Sequence, residues 1–263
     1  MKNTSSKTEK IGGSRAVIFG IPIFSSRRGE LIKGLESVLS EKTGKCLIYT
    51  PNPEILVESK QNPELAQALK SAEVNIPDGI GVVLANRVMA RLGRSDVRIQ
   101  ERIAGADLAE DLVRICAARG KTVMLLGGQE GVASLAARRL SDKYKGLQVV
   151  ETQGYQDVLK PTGKEEDLVV EMVRKHKPGL LLVAFGQGKQ ERWLTGHRDL
   201  PFVIGMGVGG TLDFWSGHRS RAPLVLRQIG LEWLYRLIRE PWRWRRQLRL
   251  LKFVGLVVKE ITS

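Results

Sequence analysis

From about residue 15 to residue 210 the chain alternates between short apolar runs rich in β-branched residues and longer stretches whose apolar side chains recur every three or four positions. The first pattern predicts strands over 16–24, 46–50, 74–76, 122–126, 147–151, 180–185 and 202–206. The second predicts helices over 29–42, 62–72, 79–93, 105–119, 131–145, 164–176 and 189–197. Several strands are unbroken apolar runs, such as Val-Met-Leu-Leu at 123–126 and Leu-Leu-Leu-Val at 180–183, as expected of strands covered by helices on both faces. The alternation is that of an α/β domain built on a layered sheet, and no internal repeat interrupts it.

Beyond Gly210 the rhythm stops and the chain reads as helical, aromatic and basic, with Pro241 dividing it into two helices. The second of these sets Trp244, Leu248, Leu251 and Val258 on one side and Arg245, Arg249 and Lys252 on another. Arg227 to Ser263 carries nine Lys or Arg against three Glu, a net +6 over 37 residues, together with Trp233, Trp242 and Trp244. The expected organisation is a disordered polar tail over 1–14, an α/β domain over 15–217 and a helical basic C-terminal appendage over 218–263. A basic amphipathic helix with interfacial tryptophans suits an anionic membrane surface. The same pattern also serves a helix docked on its own domain, or packed between the subunits of a homo-oligomer.

Composition narrows the class. A chain of 263 residues, 42% hydrophobic, can bury a full core without disulfides or structural metal. Its formal net charge of +14 calls for an anionic partner, and that alone admits an RNA-binding or RNA-modifying protein as an alternative, since arginines interleaved with tryptophans fit phosphate and base stacking. No RNP, KH or helix-turn-helix motif accompanies the charge, so nucleic acid is not the expected partner. Cys46 and Cys116 both lie in apolar stretches and form no CxxC or zinc spacing, which fits a reducing cytoplasm. The first residues, Met-Lys-Asn-Thr-Ser-Ser-Lys, lack the apolar core of a signal peptide, and no run approaches the length of a membrane span.

Chemistry-bearing residues collect in loops that follow predicted strands, where open α/β sheets bind ligands. In Thr50-Pro51-Asn52-Pro53-Glu54 both Thr50 and Asn52 precede a proline, which stiffens the loop and presents a hydroxyl and a carboxamide. Asn52 followed by Pro53 is equally an ordinary helix N-cap with proline at the first helical position. Asp78, in Asn75-Ile76-Pro77-Asp78-Gly79, reads as a helix N-cap, as a general base kept ionised by the helix N-terminus, or as both. The glycine clusters at 127–131 and 205–210 are neither a Walker P-loop nor a dinucleotide fingerprint, so no nicotinamide cofactor is expected. His176, His197 and His218 have no metal-site spacing, and no serine sits in a GxSxG elbow. Arg236, Arg243 and Arg246 stand out in the basic tail because guanidinium forks bind diphosphate oxygens in bidentate fashion; a solvated basic face is the plain alternative.

Taken together, Thr-Pro-Asn-Pro-Glu (50–54), Ile-Pro-Asp-Gly-Ile-Gly-Val-Val (76–83), Glu-Arg-Ile-Ala-Gly-Ala-Asp (101–107), Leu-Leu-Gly-Gly (125–128), Gly-Lys-Gln-Glu-Arg-Trp (188–193), Gly-Val-Gly-Gly-Thr-Leu-Asp-Phe (207–214), Arg-Ala-Pro (221–223) and Gly-Leu-Glu-Trp-Leu-Tyr-Arg-Leu-Ile-Arg-Glu-Pro (230–241) closely resemble, in this order, the WecG/TagA/CpsF glycosyltransferase family of bacteria. The resemblance runs from about residue 16 to 247 and departs from the usual pattern at Gln100 and Gly188, where the family often carries proline. It implies a Rossmann-like α/β core with a membrane-meeting appendage that closes the active site. It also implies inverting, metal-independent transfer of a sugar, often N-acetylmannosamine, from a UDP-sugar to an undecaprenyl-diphosphate-linked acceptor at the cytoplasmic face of the membrane. On the same basis Asp78 is the implied general base, Thr50, Asn52, Arg102 and Gln190 line the substrate pocket, and Arg236, Arg243 and Arg246 engage diphosphate.

Overall fold

The structure, a computed structural model, describes residues 11–41 and 45–262, apart from the side chains of residues 243, 246 and 247. Six parallel strands form the central sheet: β3 (Cys46–Tyr49), β4 (Val74–Asn75), β5 (Val123–Gly127), β6 (Val149–Thr152), β7 (Leu180–Ala184) and β8 (Ile204–Gly207), in the order β4-β3-β8-β7-β5-β6. Period-two alternation sends Cys46, Ile48, Leu125, Leu180, Leu182 and Met206 to one face and Leu47, Tyr49, Met124, Leu126, Leu181 and Val183 to the other. Both sets are buried, which is why the sequence shows continuous apolar runs instead of alternation.

Helices α1 (Arg28–Ser40), α5 (Gly105–Ala118) and α6 (Val132–Lys143) cover the first face. The second is covered by α2 (Pro53–Ser59), α3 (Pro63–Ser71), α4 (Ile80–Arg91), α7 (Gly163–His176) and α8 (Lys189–Gly196). Connections from β3 run toward the β4 edge and those from β5 toward the β6 edge, so the sheet has a topological switch at its centre, where the loops after β3, β7 and β8 leave a crevice. Cys46 and Cys116 are buried thiols on the first face. Burial pushes the Cys116 thiol up to about 12 and the Cys46 thiol well above its ordinary value.

Two expectations are corrected. The run 16–24 is not one strand but a hairpin, β1 (Arg15–Ile18) and β2 (Ile21–Phe24), forming its own two-stranded antiparallel sheet. Its two-residue turn puts Phe19 at φ 53° and Gly20 at φ 77°, a primed hairpin turn that a phenylalanine seldom occupies. The Phe19 ring is held in that conformation by edge-on packing against Phe253, with centroids 5.5 Å apart. The polar N-terminal tail likewise does not extend to residue 14: residues 1–10 lie outside the described residues, but Ile11 is buried and the Ser14 hydroxyl bonds to that of Ser25 at 2.8 Å.

After β8 the chain forms α9 (Thr211–Trp215), α10 (Leu224–Gln228), α11 (Glu232–Arg239), a 3-10 turn at Pro241–Arg243 and α12 (Trp244–Thr262), so Pro241 separates two helices as its ring requires. The tail folds back onto the α/β layers, where α12 packs on α2 and α4. An Arg249–Glu58 ion pair at 2.9 Å and a bond from Arg94 Nε to the Ile261 carbonyl at 3.1 Å fasten it. Its opposite side leaves Trp242, Trp244, Leu248 and Leu251 exposed. No helix among the described residues is long and apolar enough to cross a membrane.

Candidate active site

The crevice at the carboxyl ends of the strands deepens into a cavity of about 950 Å³, roofed by α11 and α12. Thr50, Asn52, Asp78, Arg102, Gln190 and Arg236, predicted from the sequence, all line it. The side chains of Arg243 and Arg246 lie outside the described residues.

Asp78 does not cap its own helix. Gly79 stands at the N-cap of α4 with φ 100° and no side-chain cap bond, so the Asp78 carboxylate is free of the role that the capping interpretation assigned to it. Its backbone is pinned by a bond from Asp78 N–H to the Pro51 carbonyl at 3.2 Å, and its carboxylate accepts from the Gly105 N–H at the start of α5. The two loops can meet only because residue 105 has no side chain: a Cβ there would lie 2.9 Å from Thr50 Cγ2 and 3.8 Å from Asp78 Oδ2. Burial pushes the Asp78 carboxyl up to about 6, and the nearby Glu232 charge adds to this. Arg102, Arg236 and the Gly105 bond pull the other way. The loss of water on burial outweighs these opposing influences, so the carboxyl stands above its ordinary range yet remains mostly ionised at neutral pH.

Asn52 does two jobs. Its Oδ1 accepts from Ile55 N–H at 3.0 Å as the N-cap of α2, a helix the periodicity did not show, and from Gln187 Nε2 at 3.4 Å. Only its amide nitrogen is left for a ligand. Gln190 is buried and already committed: Oε1 accepts from Gly209 N–H and Nε2 donates to Glu191, each at 3.0 Å. It therefore shapes the glycine loop after β8 and reaches a ligand chiefly through that loop. Glu191 in turn accepts from Gly188 N–H at 2.7 Å, and its burial pushes its carboxyl up to about 7.

The tail brings the positive charge. Arg102 donates to the Arg227 carbonyl at 2.7 Å, Arg221 pairs with Asp107 at 2.6 Å, and Arg236 pairs with Glu232 at 2.9 Å while its guanidinium lies 4.9 Å from the Phe214 ring centroid. Four buried guanidinium nitrogens, Arg221 Nε and Nη2, Arg227 Nε and Arg236 Nε, have no hydrogen-bond partner. Buried donors without acceptors are costly, and because Arg221 and Arg236 also line the cavity, this part of it suits an anion. Arg221, Arg227 and Glu232 were not picked out from the sequence as site residues; Arg221 and Glu232 stood within recognised motifs, but only the fold shows their side chains turning inward. Among the described residues no group of three or more His, Cys, Asp or Glu side chains comes together as a metal site.

The profile of the Glycosyl transferase WecG/TagA/CpsF family matches residues 16–263. The chain is 32% identical over 246 residues, 92% of its own length and 91% of the relative's, to an N-acetylglucosaminyldiphosphoundecaprenol N-acetyl-beta-D-mannosaminyltransferase of Bacillus subtilis. It is 33% identical over 229 residues, 87% of this chain and 84% of the relative, to a protein of the same description from Bacillus spizizenii. Neither relative is described as binding RNA.

Proposed function

The chain belongs to the WecG/TagA/CpsF glycosyltransferase family and is a glycosyltransferase, and from that premise we propose that it transfers N-acetyl-D-mannosamine from its UDP derivative to N-acetylglucosamine carried on undecaprenyl diphosphate. The observation that carries this reading is the Asp78 carboxylate, free of capping, held by Gly105 N–H, and facing a cavity into which the tail turns Arg221 and Arg236. The similarity to two relatives whose names give both sugars and the lipid supports the choice of substrates.

In the proposed reaction Asp78 accepts the proton of the acceptor hydroxyl, and that oxygen attacks the anomeric carbon. The bond from this carbon to the diphosphate oxygen breaks on the opposite face, so the configuration inverts and UDP leaves. With its pKa near 6, Asp78 is mostly ionised at neutral pH yet basic enough to hold the proton. Arginine forks neutralise the departing diphosphate, and the reaction proceeds without metal. The exposed tryptophans and leucines of the tail rest on the anionic inner face of the membrane, where the lipid acceptor is presented.

The test is to incubate the detergent-solubilised protein, in the presence of EDTA, with a panel of UDP-sugars and a short-chain lipid-diphosphate N-acetylglucosamine, following UDP and extended lipid by mass spectrometry. Extension from UDP-N-acetylmannosamine alone is the expected result. Extension by another sugar would replace the donor, and activity that appears only with added divalent metal would overturn metal independence.

A further inference from the structure

Between α4 and α12 the cavity has the form of a channel with apolar walls. Ile80, Leu84 and Val88 face it from α4, and Leu250, Val254 and Val258 from α12, each set spaced by four residues and so aligned along one side of its helix. Every residue that α4 and α12 contribute to the cavity wall is apolar or glycine, whereas all the charged lining residues come from other elements. The core does not need this surface. Leu84, Val88, Val254 and Val258 are 51%, 47%, 57% and 53% exposed, while the remaining apolar residues of α4, Val82, Val83 and Met89 among them, are already buried in the second layer. From Leu250 to Ile261 the wall runs about 16 Å.

Neither a nucleotide nor a sugar has a use for such a wall. The same cavity is lined by Arg221 and Arg236, whose buried nitrogens lack hydrogen-bond partners, so a ligand filling it from end to end carries phosphate in one part and hydrocarbon in the other. We infer that the channel between α4 and α12 binds the first isoprene units of the acceptor's prenyl chain, so that the protein reads the lipid itself as well as the sugar diphosphate attached to it. The inference rests on the lipid-diphosphate acceptor proposed above, and it assigns Leu84, Val88 and Val254 to lipid recognition.

The test avoids membranes. In detergent-free buffer, farnesyl diphosphate and methyl diphosphate are titrated into the full chain with intrinsic tryptophan fluorescence as the readout, Trp233 being on the cavity wall. In parallel, transfer is measured to the farnesyl and methyl esters of N-acetylglucosamine diphosphate. Farnesyl diphosphate is expected to bind at least about tenfold more tightly than methyl diphosphate, because burying each methylene adds to affinity. The farnesyl ester's KM is expected to be lower by a similar factor. Leu84→Gln with Val88→Gln, and separately Val254→Gln, should raise the farnesyl KM and Kd toward the methyl values and move the methyl values less than twofold. All three positions are about half exposed, so the variants are expected to fold, which a thermal melt checks.

Equal affinity for the two diphosphates, or variants that weaken both ligands alike, would overturn the inference. So would variants that reduce binding to phosphatidylglycerol vesicles without changing the farnesyl-to-methyl ratio, which would make the surface a bilayer contact. If the wild type transfers to neither ester but retains the binding preference, the proposed function fails and the prenyl channel stands.

Discussion

At the scale of single residues, the opposing influences on Asp78 make a sharp prediction. A carboxyl at about 6 in the folded protein and near its ordinary 3.8 in the unfolded chain binds its proton more tightly when folded. Its contribution to stability is therefore present at low pH and is lost as pH rises through about 6, costing about 2–3 kcal/mol at neutrality. Asp78→Asn should consequently lower kcat by about 10²–10⁴ with little change in KM, and at pH 7.5 should raise the melting temperature. The pH profile of kcat/KM should fall tenfold per unit below about 6. Arg236→Ala removes a charge that favours ionised Asp78, so this limb should move to higher pH while kcat drops by roughly 10². A limb that stays in place would detach Arg236 from the base. The sequence made Asp78, Thr50 and Asn52 legible because their loops sit where strands end. It did not show that Gly79 replaces Asp78 as the cap, or that the second helix N-terminus meeting Asp78 belongs to α5, since both depend on how separate loops pack.

At the scale of elements, the helices of the α/β layers were readable because each carries one apolar face. What the pattern missed has a local cause in each instance. The turn at Phe19-Gly20 is hidden because phenylalanine is a strand residue, tolerated at positive φ here through its contact with Phe253, more than 230 positions later in the chain. Helix α2 has seven residues, too few to establish a period. Just before α11 the tail makes one of its closest approaches to the layers: Gly230 has φ 79°, and a Cβ there would come within 2.9 Å of Ile80 Cβ. Gly230→Ala is expected to lift α11 from α4, reducing transfer activity more than tenfold and exposing the segment around 217–230 to limited proteolysis. The stability of the central sheet should change by less than about 1 kcal/mol, because no core residue is touched. Unchanged activity and proteolysis would show that the roof does not depend on this contact.

At the scale of the whole molecule, α12 is apolar on two sides. One is buried through Phe253 and Val257, and the other is exposed through Trp244, Leu248 and Leu251. Periodicity alone presented docking on the domain and contact with a membrane as alternatives; in the fold one side of the helix docks on the domain and the other is left exposed, free for the membrane contact proposed above. Partition onto vesicles containing anionic lipid is expected to weaken as salt is raised from 50 to 500 mM. Trp244→Ala with Leu251→Glu should reduce it at least tenfold without lowering the melting temperature. Salt-independent binding, or a double variant that binds as the parent does, would place the membrane contact elsewhere on the molecule.

The two buried thiols open a route to watching that contact directly. Cys46 and Cys116 are the chain's only cysteines, and both are enclosed and held in the protonated form, so maleimide reagents should leave the native protein unlabelled at neutral pH. A third cysteine placed on the outer ridge by Leu251→Cys would then be the one reactive thiol, with no need to remove the native cysteines. An environment-sensitive dye attached there would report, in the working enzyme, whether the ridge leaves water for lipid as proposed, and whether that movement precedes turnover.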